Sequence, residues 1–314
     1  MKRSLNAAKP RTFTTVPVKT DRKPQKSGGP IGAVRGAVSG VASVAPAGAG
    51  RIAGIAVAVL VALVVAAVIV VNSGLFAATD IQIKGSEHIT QHDAKQLIDL
   101  PEGTSLFNVD SAKIVDGLKQ NPWVSGVDVQ RKFPHTLIIT PTERKVLAIA
   151  YITSDDIAWA IGDDDTWIAP LSTSVAVDDK GNMVTSGDGA KVASGIDAAL
   201  ALSKHYGAVL LTDVSADVSP VSGQSVSARA VKAGLDYARG FSSDFLSQVK
   251  DISVSSVEAI SANLNSGVEV SLGSAEDISK KEKIVTKLLS QVEGVTYINV
   301  RSSGNYTFRN APTS

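Results

Sequence analysis

The sequence predicts an α+β chain hung on one membrane-spanning helix. A basic N-terminal tail precedes the helix, and a small β-α-α-β-β module and a β-rich part with a long C-terminal helix and terminal strands follow it. Three observations predict this. Residues 52–71 carry no charged or polar side chain. Charge is split sharply across that run. Beyond it, short alternating segments bounded by Gly, Pro and Asn interleave with a few helical patterns, the signature of a sheet-rich α+β protein.

The tail, residues 1–51, holds Pro, Gly, Ser, Ala and Lys in quantity and only Phe13 as an aromatic. Such a segment cannot bury enough apolar surface to offset its ordering entropy, so it is expected to be disordered and cytoplasmic. The next segment, 52–72, is the expected transmembrane helix. Ile52 to Val71 contains thirteen Ile, Leu or Val, six Ala and one Gly. At about 1.5 Å per residue it spans roughly 30 Å, the thickness of a bilayer's hydrocarbon core. Its aliphatic side chains favour insertion by something on the order of 5 kcal/mol together. Residues 1–51 hold ten of the 31 basic residues and one of the 30 acidic ones, which leaves 21 basic and 29 acidic beyond. Positive charge stays cytoplasmic, so the expected topology is single-pass type II, with residues 72–314 exported. Leu75-Phe-Ala-Ala78 could imitate a signal-peptide cleavage site, but the basic region and the apolar run are both too long for one. Zero cysteines exclude disulfides, thiolate metal sites and Cys nucleophiles.

The small module is expected over 78–145. Asp80–Lys84 alternates as a strand that stops at Gly85. Thr90-Gln-His-Asp93 resembles a capping box for a short helix with Ala94, Leu97 and Ile98 on one face. Asp110 can cap a second helix bearing Ile114, Val115 and Leu118, closed by Asn121-Pro122. Val124–Lys132 and Thr136–Thr140 are strands joined through Phe133-Pro-His135. Trp123 and Phe133 are expected in this module's core.

A β-rich domain is expected over 146–309, with a disordered end at 310–314. Val146–Ile152 and Asp156–Ile161 read as strands, residues 172–189 as a loop, and Ala190–Lys204 and Val226–Phe241 as helices, the second capped by Ser225. Ile252–Val257, Ala259–Leu264 and Val268–Leu272 form a meander with a turn at Asn265-Ser-Gly267. Ala275–Val292 is a long amphipathic helix whose Lys280, Lys281, Lys283 and Lys287 read as its wet face. Thr296–Arg301 and Asn305–Phe308 are the last strands.

Several motifs in this order resemble one family. Ile81-x-Ile-x-Gly85, Gly103-Thr-Ser-Leu-Phe107, Asn121-Pro-Trp-Val124, Arg131-Lys-Phe-Pro134 and Pro141-Thr-Glu-Arg144 are similar in order and spacing to the POTRA domain of FtsQ/DivIB bacterial cell-division proteins. Gly267-Val-Glu-Val-Ser-Leu-Gly273 and Tyr297-Ile-Asn-Val-Arg301 resemble that family's C-terminal part, and the basic tail with one span also fits. Lys145-Val146 departs from it, standing where the family often has Pro. The resemblance implies a non-enzymatic divisome scaffold concentrated at the septum. Its implied partners are FtsB/DivIC-like and FtsL-like bitopic membrane proteins and septal peptidoglycan synthases, with no cofactor, nucleic acid or small-molecule substrate.

Enzymatic constellations are weak. His88 and His92 lack the Glu of a zinc-protease helix and read as surface histidines. Asp163-Asp-Asp165 lacks the Gly and distal Glu of a calcium loop and reads as an exposed turn. Ser247-Gln-Val-Lys250 matches Ser-x-x-Lys, but no Ser-Asp-Asn or Lys-Thr-Gly follows. An exported envelope hydrolase or penicillin-binding-like enzyme using Ser247 and Lys250 is therefore the competing reading. The candidate partner-binding residues are Thr296, Tyr297, Ile298, Asn299, Val300 and Arg301, expected as a β-prone strand with an open edge.

Overall fold

A computed structural model describes residues 49–71, 73–85, 87–185 and 190–311. The expected tail, through residue 48, and residues 312–314 of the expected disordered end lie outside the described residues. Helix α1 covers Ala49–Val71, so it begins ahead of Ile52 and includes Arg51. Its stretch Ala53–Val71 is long and apolar enough to cross a membrane, and none of that stretch is buried against protein.

Residues 69–314 form one compact unit with two main sheets and a separate two-stranded one. The smaller has the order β1-β3-β2, from β1 (Asp80–Ile83), β2 (Val124–Lys132) and β3 (Thr136–Glu143). β1 runs parallel to β3, and β2–β3 is an antiparallel hairpin. Between β1 and β2 come α2 (Gln91–Leu97) and α3 (Ser111–Leu118). Thr90 caps α2 by accepting from the Asp93 N–H, and Asp110 caps α3 by accepting from Ala112 and Lys113 N–H. Ala94, Ile114 and Leu118 pack on Ile83, Leu137 and Ile139 as the core. The helices meet so closely that a Cβ on Gly117 would overlap the Leu97 carbonyl oxygen.

The larger sheet has nine strands in the order β14-β13-β12-β11-β10-β9-β4-β5-β6. Within it β4 (Val146–Ile152), third from the β6 edge, is an uninterrupted apolar run and therefore covered on both faces. Ile149 and Tyr151 face Ala199 and Leu202 of α4 (Gly195–Tyr206), while Ala148, Ala150 and Ile152 face the cluster of Val231, Leu235 and Tyr237 on α5 (Arg229–Gly240). Gly207 ends α4 in the left-handed conformation, which glycine adopts without a Cβ penalty. β5 (Ile157–Gly162) and β6 (Trp167–Leu171) follow on one side. On the other lie β9 (Val209–Thr212), β10 (Val249–Val254), β11 (Ile260–Leu264) and β12 (Glu269–Ser271). Helix α7 (Ile278–Gln291) crosses over to β13 (Val295–Ser302), parallel to β12, and the hairpin β13–β14 (Asn305–Asn310) closes the chain.

Several expectations need correction. The expected loop 172–189 contains β7 (Ser174–Val177), paired with β8 (Lys191–Ser194), so the helix expected from Ala190 starts only at Gly195. Helix α5 starts at Arg229 with Ala228 as its N-cap, because Ser225 is bridged to Thr166. The short β9 and α6 (Ser243–Leu246) fall in a Ser/Ala-rich stretch without strong periodicity. Phe133 is not core: it is 49% exposed at the β2–β3 turn, where an aromatic ring has only other surface rings to pack on. Asn310 is not disordered, for it pairs with Val295 at the end of β14. Lys281 is not on the wet face of α7 but 2% exposed.

Candidate partner edge and the seam between the sheets

Strand Thr296–Arg301 is not the edge of the large sheet. β13 is flanked by β12 and β14, and a hairpin can leave only one of its strands outermost. Ile298 and Val300 have no exposure and belong to the core. Tyr297 lies beneath the Arg309 guanidinium, 4.3 Å from its ring centroid. The Thr296 hydroxyl donates to the Arg309 carbonyl at 3.2 Å, the Asn299 carboxamide oxygen accepts from the Arg301 N–H at 3.2 Å, and Arg301 is exposed. All six sequence-predicted residues thus lie one strand inward of the open edge.

The edge is β14, exposed along its whole length. The Ala311 N–H donates to the Gly294 carbonyl at 2.8 Å, facing β13. Backbone donors alternate along a strand, so Arg309 and Thr307 N–H also face β13, while Phe308 and Tyr306 N–H face outward. Tyr306 and Phe308 side chains are both largely exposed. The opposite edge, β6, is covered at its Trp167 end, where Trp167 N–H donates to the Gln224 carbonyl at 2.9 Å and its carbonyl accepts from Gly223 N–H at 2.7 Å. The signal for a β14 strand was available in Ser302-Ser-Gly304 followed by alternating Asn-Tyr-Thr-Phe, a hairpin pattern; its outermost place follows from the pairing of β13 with β12.

Where the two sheets meet, His88 and Trp123 stack with ring centroids 3.7 Å apart and planes 7° from parallel. The His88 N–H donates to Glu143 at 2.7 Å, and its Nε2 lies 3.2 Å from the Tyr206 hydroxyl. His88 is therefore not a surface histidine, although His92 stays exposed, 3.0 Å from Gln96. Trp123 is half-buried and packs against both cores, its carbonyl accepting from Arg144 N–H at 2.7 Å. Burial, with the carboxylates of Glu87 and Glu143, pushes the Tyr206 hydroxyl up, so it stays protonated. Arg144 Nε donates to Asp164 at 2.9 and 3.0 Å, and its Nη1 donates to the Pro122 carbonyl. Asp165 pairs with Arg239. The acidic turn is thus two ion pairs rather than three free carboxylates, because β5–β6 brings it beside two arginines.

Ser247 and Lys250 line one open cleft, together with Lys204, Val249 and Asn265. The Ser247 hydroxyl donates to the Asp244 carbonyl at 2.8 Å, as a serine closing a helical turn does. No group of three or more His, Asp or Glu able to hold a metal occurs among the described residues.

Comparison with known proteins agrees with this architecture. The model of the FtsQ-type POTRA domain matches residues 76–144, and that of the cell division protein FtsQ/DivIB C-terminal region matches residues 166–301. The cell division protein FtsQ of a Geobacter species is 32% identical over 84 residues, 27% of this chain and 31% of that protein. That of Bradyrhizobium diazoefficiens is 32% identical over 80 residues, 26% and 23% respectively. That of Streptomyces collinus is 23% identical over 225 residues, 70% of this chain and 73% of that protein. The similarity thus spans under a third of the first two relatives and most of the third. Both modules, matched separately and in order, place this chain in the FtsQ/DivIB family of bacterial cell-division proteins.

Proposed function

We propose that this protein is a non-enzymatic scaffold of the divisome, anchored in the cytoplasmic membrane by α1 and acting through its exported domains. The observation that carries the reading is the open β14 edge. A strand with unpaired outward N–H and C=O groups offers another chain's backbone a ready ladder, and flanking side chains supply selectivity. The fitting partners are the bitopic FtsB/DivIC-like and FtsL-like proteins, with septal peptidoglycan synthases coupled through the complex. The basic tail supports a cytoplasmic N-terminus and a type II topology. We take 78–145 as the POTRA domain and 146–309 as the second domain. The hydrolase reading has the shared cleft in its favour, but the Ser247 hydroxyl is committed to a backbone carbonyl.

An N-terminal fluorescent fusion should concentrate at mid-cell, and depletion should give filamentous, branched or septum-defective cells. External protease on cells stripped of their outer layers should digest the exported part while sparing a tag on residue 1. Uniform envelope fluorescence with normal division sinks the scaffold reading. Loss of function in a folded Ser247→Ala or Lys250→Ala protein would favour the hydrolase.

A further inference from the structure

Three phenylalanines from separate segments form one surface cluster, Phe107 and Phe133 exposed and Phe76 half-buried. Phe76 lies just past α1, Phe107 follows the turn at 101–104, and Phe133 tips the β2–β3 hairpin. Their ring centroids are 5.1 Å (Phe76–Phe107), 4.9 Å (Phe107–Phe133) and 6.1 Å (Phe76–Phe133) apart. Phe107, Phe133 and the adjacent Leu75 are 47%, 49% and 64% exposed. Rings packed on one another yet left open to water are an unusual expense for a surface, and mark a contact site.

The end of the apolar helix is tied to this cluster. Ser105 Oγ donates to the Val71 carbonyl at 2.8 Å, Leu106 N–H to the Phe76 carbonyl at 2.7 Å, and Ala78 N–H to the Thr104 carbonyl at 2.9 Å. Phe107 stands two residues beyond Ser105, so it lies within about 7 Å along the chain of the point that holds Val71. The polar headgroup layer outside a bilayer's hydrocarbon core is about 5–8 Å deep on each side. Phe and Leu side chains lodge favourably at that depth, and aromatic rings gather there. Exposed Lys132 and His135 flank Phe133 on the same turn, and exposed Glu102 stands in the loop before Phe107, so the surroundings carry both signs of charge.

We propose that Leu75, Phe76, Phe107 and Phe133 form a membrane-interface seat that beds the POTRA module in the outer headgroup layer and fixes its orientation on the bilayer. The occupant is lipid, because the patch is continuous with the end of the apolar run. The proposal rests on the reading of α1 as a membrane anchor and goes beyond it.

The chain has no cysteine, so single cysteines can carry a nitroxide. The full-length protein is reconstituted in vesicles of zwitterionic and anionic phospholipid, with the label at His135→Cys, Leu63→Cys or Val192→Cys. Contact with oxygen, which concentrates in lipid, is compared with contact with a water-soluble nickel complex. The Leu63 label should read bilayer interior, the Val192 label water, and the His135 label an intermediate headgroup depth. Adding Phe107→Ser and Phe133→Ser should move the His135 label to the Val192 value, with unchanged circular dichroism showing that the fold survives. An aqueous His135 label beside a buried Leu63 label overturns the seat and leaves the anchor standing. An aqueous Leu63 label overturns the anchor and the seat with it. A headgroup reading that persists in the double Ser variant overturns the assignment to the phenylalanines.

Discussion

The Lys281 ammonium sits 3.0 Å from the Tyr237 hydroxyl, and the pair locks α7 and α5 onto the loop after β12. Lys281 also donates to the carbonyls of Leu272 at 2.8 Å and Ser274 at 2.6 Å. An ammonium has three N–H donors, and all three are used, on acceptors that carry no formal charge. The Tyr237 hydroxyl lies 2.6 Å from the Ser274 carbonyl, to which it donates. Burial pulls the Lys281 ammonium down from its ordinary range, with Glu276 and Asp277 pulling the other way, and burial, with Glu276, pushes the Tyr237 hydroxyl up.

Lys281→Met should destabilise the unit formed by residues 69–314 by roughly 1–3 kcal/mol, because it strands buried acceptors while keeping the aliphatic volume. The two pH effects oppose each other. Lys281 releases its proton more readily when folded, so the cost of its charge is full at neutral pH and fades as pH rises towards about 10.4. Tyr237 holds its proton more tightly when folded, so its contribution is intact below pH about 10 and is lost above it. Tyr237→Phe should therefore be less stable at neutral pH, yet lose less further stability between pH 10 and 11. Urea denaturation of residues 69–314 at several pH values measures both slopes, and parallel curves for the two proteins would refute the assignment.

Gly117→Ala should be costly although alanine favours helices. The new Cβ collides with the Leu97 carbonyl oxygen, which is backbone and cannot swing aside. The helices must part, at about 1–3 kcal/mol. A thermal melt of residues 69–314 should show the loss, and an unchanged midpoint would show that α2 shifts freely.

Trp123 carries a different expectation from a core tryptophan. Full truncation in a core costs about 3–5 kcal/mol, and a half-buried ring at a seam should cost nearer 2. The informative readout is cooperativity. Trp123→Ala removes the His88 stack and a contact with both cores, so calorimetry should show broadened or divided unfolding of the two sheets. A single sharp transition at an unchanged temperature would place the coupling elsewhere, first on the Arg144 bonds to Pro122 and Asp164.

The parts legible in the sequence were those with local rules behind them. Thr90 and Asp110 announce their helices by side-chain capping, and Val124–Lys132 by its alternation before a Pro-containing turn. Helical periodicity alone misplaced Lys281, since Lys280 and Lys281 are neighbours in the chain and only packing by α5 decides which is buried. The seam was hidden for a like reason: His88, Trp123 and Tyr206 are far apart in sequence, and nothing local says that their rings meet. The open edge was misassigned by one strand, because the parallel pairing of β13 with β12 follows from a crossover through α7 rather than from either strand's composition.

That correction gives the sharpest test of the partner edge. Pro removes one backbone N–H, so its effect depends on which way that N–H points. At Phe308 the donor faces outward, so Phe308→Pro should leave the β13–β14 ladder intact while deleting a bond to an added strand. At Thr307 or Arg309 the donor faces β13, so Pro should destabilise the hairpin itself, and Ile298→Pro should damage the core. A lost interchain hydrogen bond with a pyrrolidine ring thrust at the incoming chain should weaken capture of an FtsB/DivIC-like partner about tenfold, or about 1.4 kcal/mol. Phe308→Ala keeps the donor and removes a ring, so it separates side-chain selectivity from backbone pairing. Hydrogen exchange on β13 distinguishes the two kinds of Pro variant without any partner present: Phe308→Pro should keep the Tyr297 and Asn299 N–H groups that face β14 protected, and Arg309→Pro should expose strand β13 at its Tyr297 end. Full partner recovery by a folded Phe308→Pro protein would remove β14 as the docking edge.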